Sequence, residues 1–148
     1  MRTMRRVLAG MAAALGIAAA VCGVNATPAR ADWIPEFAPL GSTILTFGDA
    51  NFCAGAIYVG LEAAHGMPGH VIAHVSPLGY ISGPCGNHIA LAWLGSAGTG
   101  TRDVYVHAGT TAGETQTVDL WMGMGLAKLF ANSWPLQGPW AEWYLIVP

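Results

Sequence analysis

Apolar residues recur at every second position in seven or eight short stretches of this chain, and clusters rich in Gly, Pro, Asn or Asp separate most of them. That period belongs to a strand, whose successive side chains point to opposite faces, and not to the 3.6-residue turn of a helix. Across 52–61, Cys53, Ile57, Val59 and Leu61 share one parity. Across 70–76, Val71, Ala73 and Val75 point one way and His70, Ile72 and His74 the other. From Cys85 onward, Ile89, Leu91 and Trp93 keep the parity of the cysteine. Val104 and Val106 repeat the pattern in 102–107, Val118, Leu120 and Met122 in 115–124, and Trp143, Leu145 and Val147 in 140–147. A further strand at 42–47 has Leu45 and Phe47 on one face. Turns are expected at 48–51, 65–69, 77–79, 95–100, 108–114 and 134–139.

One stretch fits two periods. Leu126, Leu129 and Phe130 have the i, i+3, i+4 spacing of a helix, and the same residues fit a short strand, so 125–132 stays open between one short helix and a strand. Many short strands joined by tight turns, with no long helix, predict an all-β fold: an antiparallel Ig-like β-sandwich of about seven or eight strands. The likeness is architectural. Antibody domains place a Trp on the strand after the first cysteine and a Tyr two residues before the second; no Trp lies between Cys53 and Cys85, and the second position is Gly83.

The N-terminus carries a different signal. Arg2, Arg5 and Arg6 precede an uncharged apolar run over 7–24, and Ala29-Arg30-Ala31 forms a small-x-small cleavage site before Asp32. These are the three parts of a secretory signal peptide. The domain reading is therefore a signal peptide at 1–31 and one β-sandwich domain at 32–148, secreted or otherwise extracytoplasmic after cleavage following Ala31. An uncut membrane anchor is the alternative reading. A lipoprotein site at Cys22 fits poorly, because Val21 stands where such processing needs a small residue.

Cleavage leaves 117 of the 148 residues, enough for one domain with a substantial core. Only Arg102 and Lys128 remain as basic residues, against eight acids, so the mature net charge is −6. Two separated cations exclude the basic footprint of a nucleic-acid binder and suit anionic lipid headgroups no better. Ten charged residues is also few for a soluble domain of this length. An apolar surface patch that meets an envelope component or another subunit would account for it. The mature chain keeps two cysteines, Cys53 and Cys85, and an exported chain with two cysteines is most simply read as holding one disulfide. Both cysteines share the parity of inward aliphatics, which places the bridge in the interior between sheets.

The chain resembles the small exported proteins of mycobacteria and related actinobacteria. The likeness rests on an Ala-rich leader ending ARADW (Ala29 to Trp33), a single cysteine pair, and a Thr/Gly-rich β pattern ending Ile146-Val147-Pro148. What the resemblance implies is a compartment.

Candidate site residues come from two side-chain types. Trp121, Trp134 and Trp140 are expected outward or in loops, where exposed aromatics stack on sugar rings or anchor a partner. They are the candidate ligand-binding set and are expected to form one contiguous patch. His65, His70 and His74 are the candidate metal set, with His88 or His107 able to supply a further ligand. On a strand, His70 and His74 share a face but stand about 13 Å apart, too far for one ion unless the segment bends. Catalytic motifs are missing: there is no HExxH, no CxxC and no P-loop, and Leu94 replaces the first glycine of a nucleophile elbow around Ser96. Ser76, His74 and Asp49 or Asp103 form a triad only if folding assembles them. The leading expectation is a secreted or envelope-associated, non-catalytic binding domain with no cofactor. Its partner would be an envelope protein, glycan or lipid that the sequence leaves unidentified. A small secreted hydrolase is the alternative, and a haem or metal carrier using surface histidines the third.

The leader and cysteine readings are checked together by intact mass. Protein recovered from the medium of an expressing cell is expected to begin at Asp32, and alkylation without reductant is expected to label neither cysteine.

Overall fold

The structure, a computed structural model, describes residues 33–47, 53–134 and 139–148. The expected leader at 1–31, the expected turn at 48–51 (Asp49 included) and most of the expected loop at 134–139 lie outside the described residues. The described chain is all β, in nine strands: β1 (Glu36–Phe37), β2 (Thr43–Thr46), β3 (Gly55–Ala63), β4 (His70–Tyr80), β5 (Cys85–Gly95), β6 (Gly98–Ala108), β7 (Gln116–Trp121), β8 (Gly125–Trp134) and β9 (Ala141–Val147). They form two antiparallel sheets, ordered β2-β3-β4-β7 and β1-β9-β8-β5-β6.

The chain order makes the sandwich Ig-like. The pairs β3–β4, β5–β6 and β8–β9 are hairpins within a sheet, while β4→β5, β6→β7 and β7→β8 pass from one sheet to the other. Strand β7 returns to pair with β4, and β8 returns to pair with β5. These two returns interlock the sheets as the B–E and C–F pairs do in an immunoglobulin sandwich, with β3, β4 and β7 at the A, B and E positions and β6, β5, β8 and β9 at C′, C, F and G.

Between the sheets lie the inward parities: Ile57, Val59 and Leu61 of β3, Val71, Ala73 and Val75 of β4, Ile89 and Leu91 of β5, Leu129 of β8, and Trp143 and Leu145 of β9, all buried. Each such Val, Leu or Ile contributes about 1.5–3 kcal/mol relative to exposure. The Trp143 indole N–H donates to Ser42 Oγ at 3.3 Å, so this large buried ring keeps its one polar group bonded.

Three sequence expectations change. First, 125–132 is strand throughout. β8 pairs with β5 on one side and β9 on the other, so Leu129 faces in while Leu126 and Phe130 face out. The helix-like spacing had joined residues of opposite faces. Second, 77–79 is not a reversal. Strand β4 runs on to Tyr80 through an irregularity where Ala56 opposes Gly79 and Ile57 opposes Pro77, leaving Leu78 as an extra residue. A proline lacking an N–H is tolerated at such a bulge, and Gly79 takes the positive φ (121°) it requires. Third, the expected loop at 95–100 shrinks to Ser96-Ala97, because Gly95 already pairs with Gly98. Gly100 has no Cβ to obstruct the Trp93 indole lying across it.

The disulfide joins Cys53 to Cys85, with Cα atoms 6.2 Å apart, inside the usual range. It is buried, as parity implies, but in a small cluster with Tyr80 and Ala108 apart from the main core. Cys53 precedes β3 and Cys85 opens β5, so the bridge ties the segment leading into the A position to the C strand at one end of the sandwich. Antibody domains tie B to F instead. The Trp and Tyr hallmarks that surround the B–F bridge therefore have no counterpart to pack against here. Tyr80 fills the corresponding need locally, donating from its hydroxyl to Asn87 Oδ1 at 3.2 Å.

Closing a loop of this separation, 32 residues, restricts the unfolded chain by about 3.5–4 kcal/mol on the chain-entropy model. The double substitution Cys53→Ala with Cys85→Ala is expected to lower the unfolding free energy by about that much in urea titration. A loss well under 1 kcal/mol would show that the bridge adds nothing to the closed sandwich.

Candidate functional site

With the inward parity committed to the core, the alternate residues of each sheet form its outer face. The two outer faces differ sharply in chemistry.

On the four-stranded sheet the outward residues are Tyr58, Gly60 and Glu62 of β3, His70, Ile72, His74 and Ser76 of β4, and Thr117, Asp119 and Trp121 of β7. Register places His70 opposite Trp121, Ile72 opposite Asp119 and His74 opposite Thr117. His70 donates from Nδ1 to both carboxylate oxygens of Asp119, at 2.9 and 3.1 Å. Its ring lies 10° from parallel to the Trp121 indole, with centroids 6.0 Å apart. His74 Nε2 stands 3.3 Å from Glu62 Oε1, and Thr117 Oγ1 stands 3.4 Å from His74 Nδ1. Trp33 bridges to Glu62 beyond the β3 edge and lays its ring over Gly60, where a Cβ would crowd it.

On the five-stranded sheet the outward residues are mainly apolar. Leu126 opposes Ile146, Lys128 lies between Tyr144 and Leu94, and Phe130 lies between Glu142 and Ala92. Phe37 of β1 opposes Tyr144, with ring centroids 6.4 Å apart. Leu126 is 81% exposed and Ile146 58%. Lys128 is the cation of this face. Its Nζ is 2.9 Å from Glu142 Oε2 and stands 4.4 and 4.7 Å from the Phe130 and Tyr144 ring centroids. A shallow depression of about 410 Å³ is lined by Leu94, Gly95, Ser96, Leu126, Ala127, Lys128 and Tyr144. Further along β5, His88 donates from Nδ1 to Asp103 at 2.6 Å, beside the rings of Tyr105 and Trp134.

The three candidate tryptophans are all exposed, as expected, but do not form one patch. Trp121 belongs to the four-stranded sheet; Trp134 ends β8 in the other sheet, and Trp140 precedes β9, flanking the same connection. Trp121 also sits where β7 ends and β8 begins, at the end of the sandwich opposite Trp134. The candidate metal set is likewise not assembled. His65 is exposed in the β3–β4 turn, while His70 and His74 each face a carboxylate of their own. Among the described residues no group of three or more His, Cys, Asp or Glu is placed to hold a metal ion.

The triad constellation is not formed either. Ser76 Oγ bonds Thr115 Oγ1 at 2.8 Å instead of reaching His74, and Asp103 serves His88 on the opposite sheet. Thr117, His74 and Glu62 do lie in line on the outer sheet face, with no serine or cysteine nucleophile hydrogen-bonded to His74 among the contacts of the described residues. The sparse charge implied an apolar surface patch, but the sequence did not place it on the outer face of the five-stranded sheet. Its signal was present in the even-numbered residues of 125–134, and the helix-like spacing of Leu126, Leu129 and Phe130 hid it. Comparison with protein-family models, curated proteins and solved structures found no match to this chain.

Hydrogen bonds to Tyr144 and to Glu142 hold the Lys128 ammonium above the ordinary lysine value of 10.5. A raised pKa in the folded state means that this contribution to stability is complete below the unfolded value and disappears as pH climbs through the folded one. The difference in Tm between wild type and Lys128→Met is therefore expected to stay constant up to about pH 10 and to narrow above it, as the charge-linked part is lost. A difference that instead changed between pH 5 and 8 would assign the effect to another group.

Proposed function

We propose that this chain is an exported, non-catalytic binding domain that attaches to a component of the cell envelope through the outer face of its five-stranded sheet. The observation that carries the reading is the contiguous exposed strip of Leu94, Leu126, Phe130, Tyr144 and Ile146 around the Lys128–Glu142 pair. A monomeric soluble domain seldom leaves a continuous apolar surface of this kind without a partner for it. Three sequence features agree with export and attachment: the leader, the single cysteine pair and the sparse charge. Covering Leu126 and Ile146 would return their apolar area to a dry environment at about 25 cal/mol per Å². The Lys128 side chain at the centre, flanked by two rings, offers a polar anchor of the kind that fixes orientation in a largely apolar contact.

The test uses the full chain with its own leader, expressed in an actinobacterial host and separated into envelope and culture-medium fractions. Wild-type protein is expected mainly with the envelope. The pair Leu126→Thr with Ile146→Thr, which keeps strand propensity and a tolerated cross-strand pair, is expected to move it to the medium without lowering Tm. Equal distribution of the two proteins would overturn the assignment of this face.

A further inference from the structure

The geometry points to a second, separate binding site on the outer face of the four-stranded sheet: a carbohydrate-binding surface on which a neutral oligosaccharide lies across the strands between Trp121 and Trp33. It uses the opposite sheet from the attachment face and does not depend on it.

The ladder itself lays out the surface. Trp33 bridges Glu62, Glu62 opposes Ile72, and Ile72 opposes Asp119, so the backbones of these four residues form one row across the sheet, with the Trp33 ring turned over the neighbouring Gly60. His70 and Trp121 form the adjoining row. Three inter-strand steps of about 4.8 Å separate the ends of the first row, roughly 14 Å in all. That span suits several sugar residues and exceeds one. Both terminal indoles are open to solvent, Trp33 at 64% and Trp121 at 63% exposure. Each is also held from behind. Trp33 rests on Gly60, a position whose missing Cβ lets the ring lie against the sheet. Trp121 stacks beside the His70 imidazole, and its carbonyl accepts a hydrogen bond of 3.0 Å from the Trp93 indole N–H. The following residues are pinned as well, since Met122 N and Gly123 N both donate to Gly69 O at 3.0 Å. Rings positioned before a ligand arrives lose little entropy on binding it.

The polar groups complete the match. A pyranose presents C–H bonds on its faces and hydroxyls around its rim. An indole face takes the C–H surface, and a carboxylate takes the hydroxyls as a charged acceptor. Asp119 directs both oxygens to His70 but is half exposed, so acceptor positions remain for hydroxyl donors. Glu62 offers a second carboxylate between the two indoles. Thr117 adds a hydroxyl two residues along the free edge strand from Asp119.

Charge selects among sugars. Among the described residues this face carries Glu62 and Asp119 and no lysine or arginine: Lys128 lies on the other sheet and Arg102 on β6. Uronic acids and sulfated sugars meet like charge, so the ligand is neutral.

Isothermal titration of the disulfide-intact mature domain with cellohexaose, maltohexaose, mannohexaose and chitohexaose tests this, with hexagalacturonate as the anionic control. At least one neutral hexasaccharide is expected to bind, and hexagalacturonate to give no heat beyond dilution. Trp121→Ala and Trp33→Ala are each expected to weaken that binding about tenfold or more, and Asp119→Asn likewise, with Tm kept within a few degrees. Trp134→Ala, on the other sheet, is expected to leave it unchanged. The proposal is overturned if no neutral hexasaccharide binds, if hexagalacturonate binds comparably, or if either indole variant binds as wild type does. None of these results bears on the envelope fractionation, so the two readings fail independently.

Discussion

Everything in this domain depends on the two-residue alternation of strands whose inner faces must stay dry. Once Ile57, Val59 and Leu61 turn inward against Ile89, Leu91 and Leu129, a slip of one residue would carry the whole set to the surface. Register is thereby held by the core and not by any single hydrogen bond. The same constraint dictates what the surface receives. His70 and His74 face out because Val71, Ala73 and Val75 face in; Leu126 and Phe130 face out because Ala127, Leu129 and Ala131 face in.

Glycines and aromatic rings adjust this frame at its ends. Tyr80 lies against Gly55, Tyr105 against Gly86, Trp93 across Gly100 and Trp33 over Gly60, each at a place where a Cβ would collide with the ring. A ring over a glycine restores the contact area that the missing side chain would have supplied. The disulfide belongs to the same group of end devices. It secures the lead-in to β3 against the start of β5, where the main core has tapered to Tyr80 and Ala108.

The two outer faces then differ in chemistry. One is mainly apolar, with the Lys128–Glu142 pair set among rings and the His88–Asp103 pair further along β5. The other matches imidazoles to carboxylates between exposed indoles. In a chain with so few charges, nearly all of the formal charge that the four-stranded sheet presents outward sits in Glu62 and Asp119. That asymmetry would let the proposed surface attachment and the proposed sugar recognition coexist in one small domain, since the two faces lie on opposite sheets.

Much of the fold was legible in the chain because it rests on local period and turn chemistry. Inward residues, the outward histidines of β4 and the all-β class follow from spacing within a few positions, and the Cys53–Cys85 bridge from the cysteine count left after the expected leader. The exceptions have physical causes. Leu126, Leu129 and Phe130 satisfy a helical period by coincidence, and only pairing with β5 and β9 decides between strand and helix. Pro77 and Gly79 read as a reversal, but a bulge can absorb both. The candidate site was legible only as a list of residue types. Asp119 stands 49 positions from His70, and Asp103 stands 15 from His88. The meeting of Asp119 with His70 depends on how β7 returns to β4, and that of Asp103 with His88 on the register of the β5–β6 hairpin; which sheet receives Trp121 and Trp134 depends on how β7 and β8 return between layers. Local spacing determines the face on which a side chain emerges. Its neighbours there come from strands distant in sequence, and only the tertiary closure of the two sheets brings those strands together.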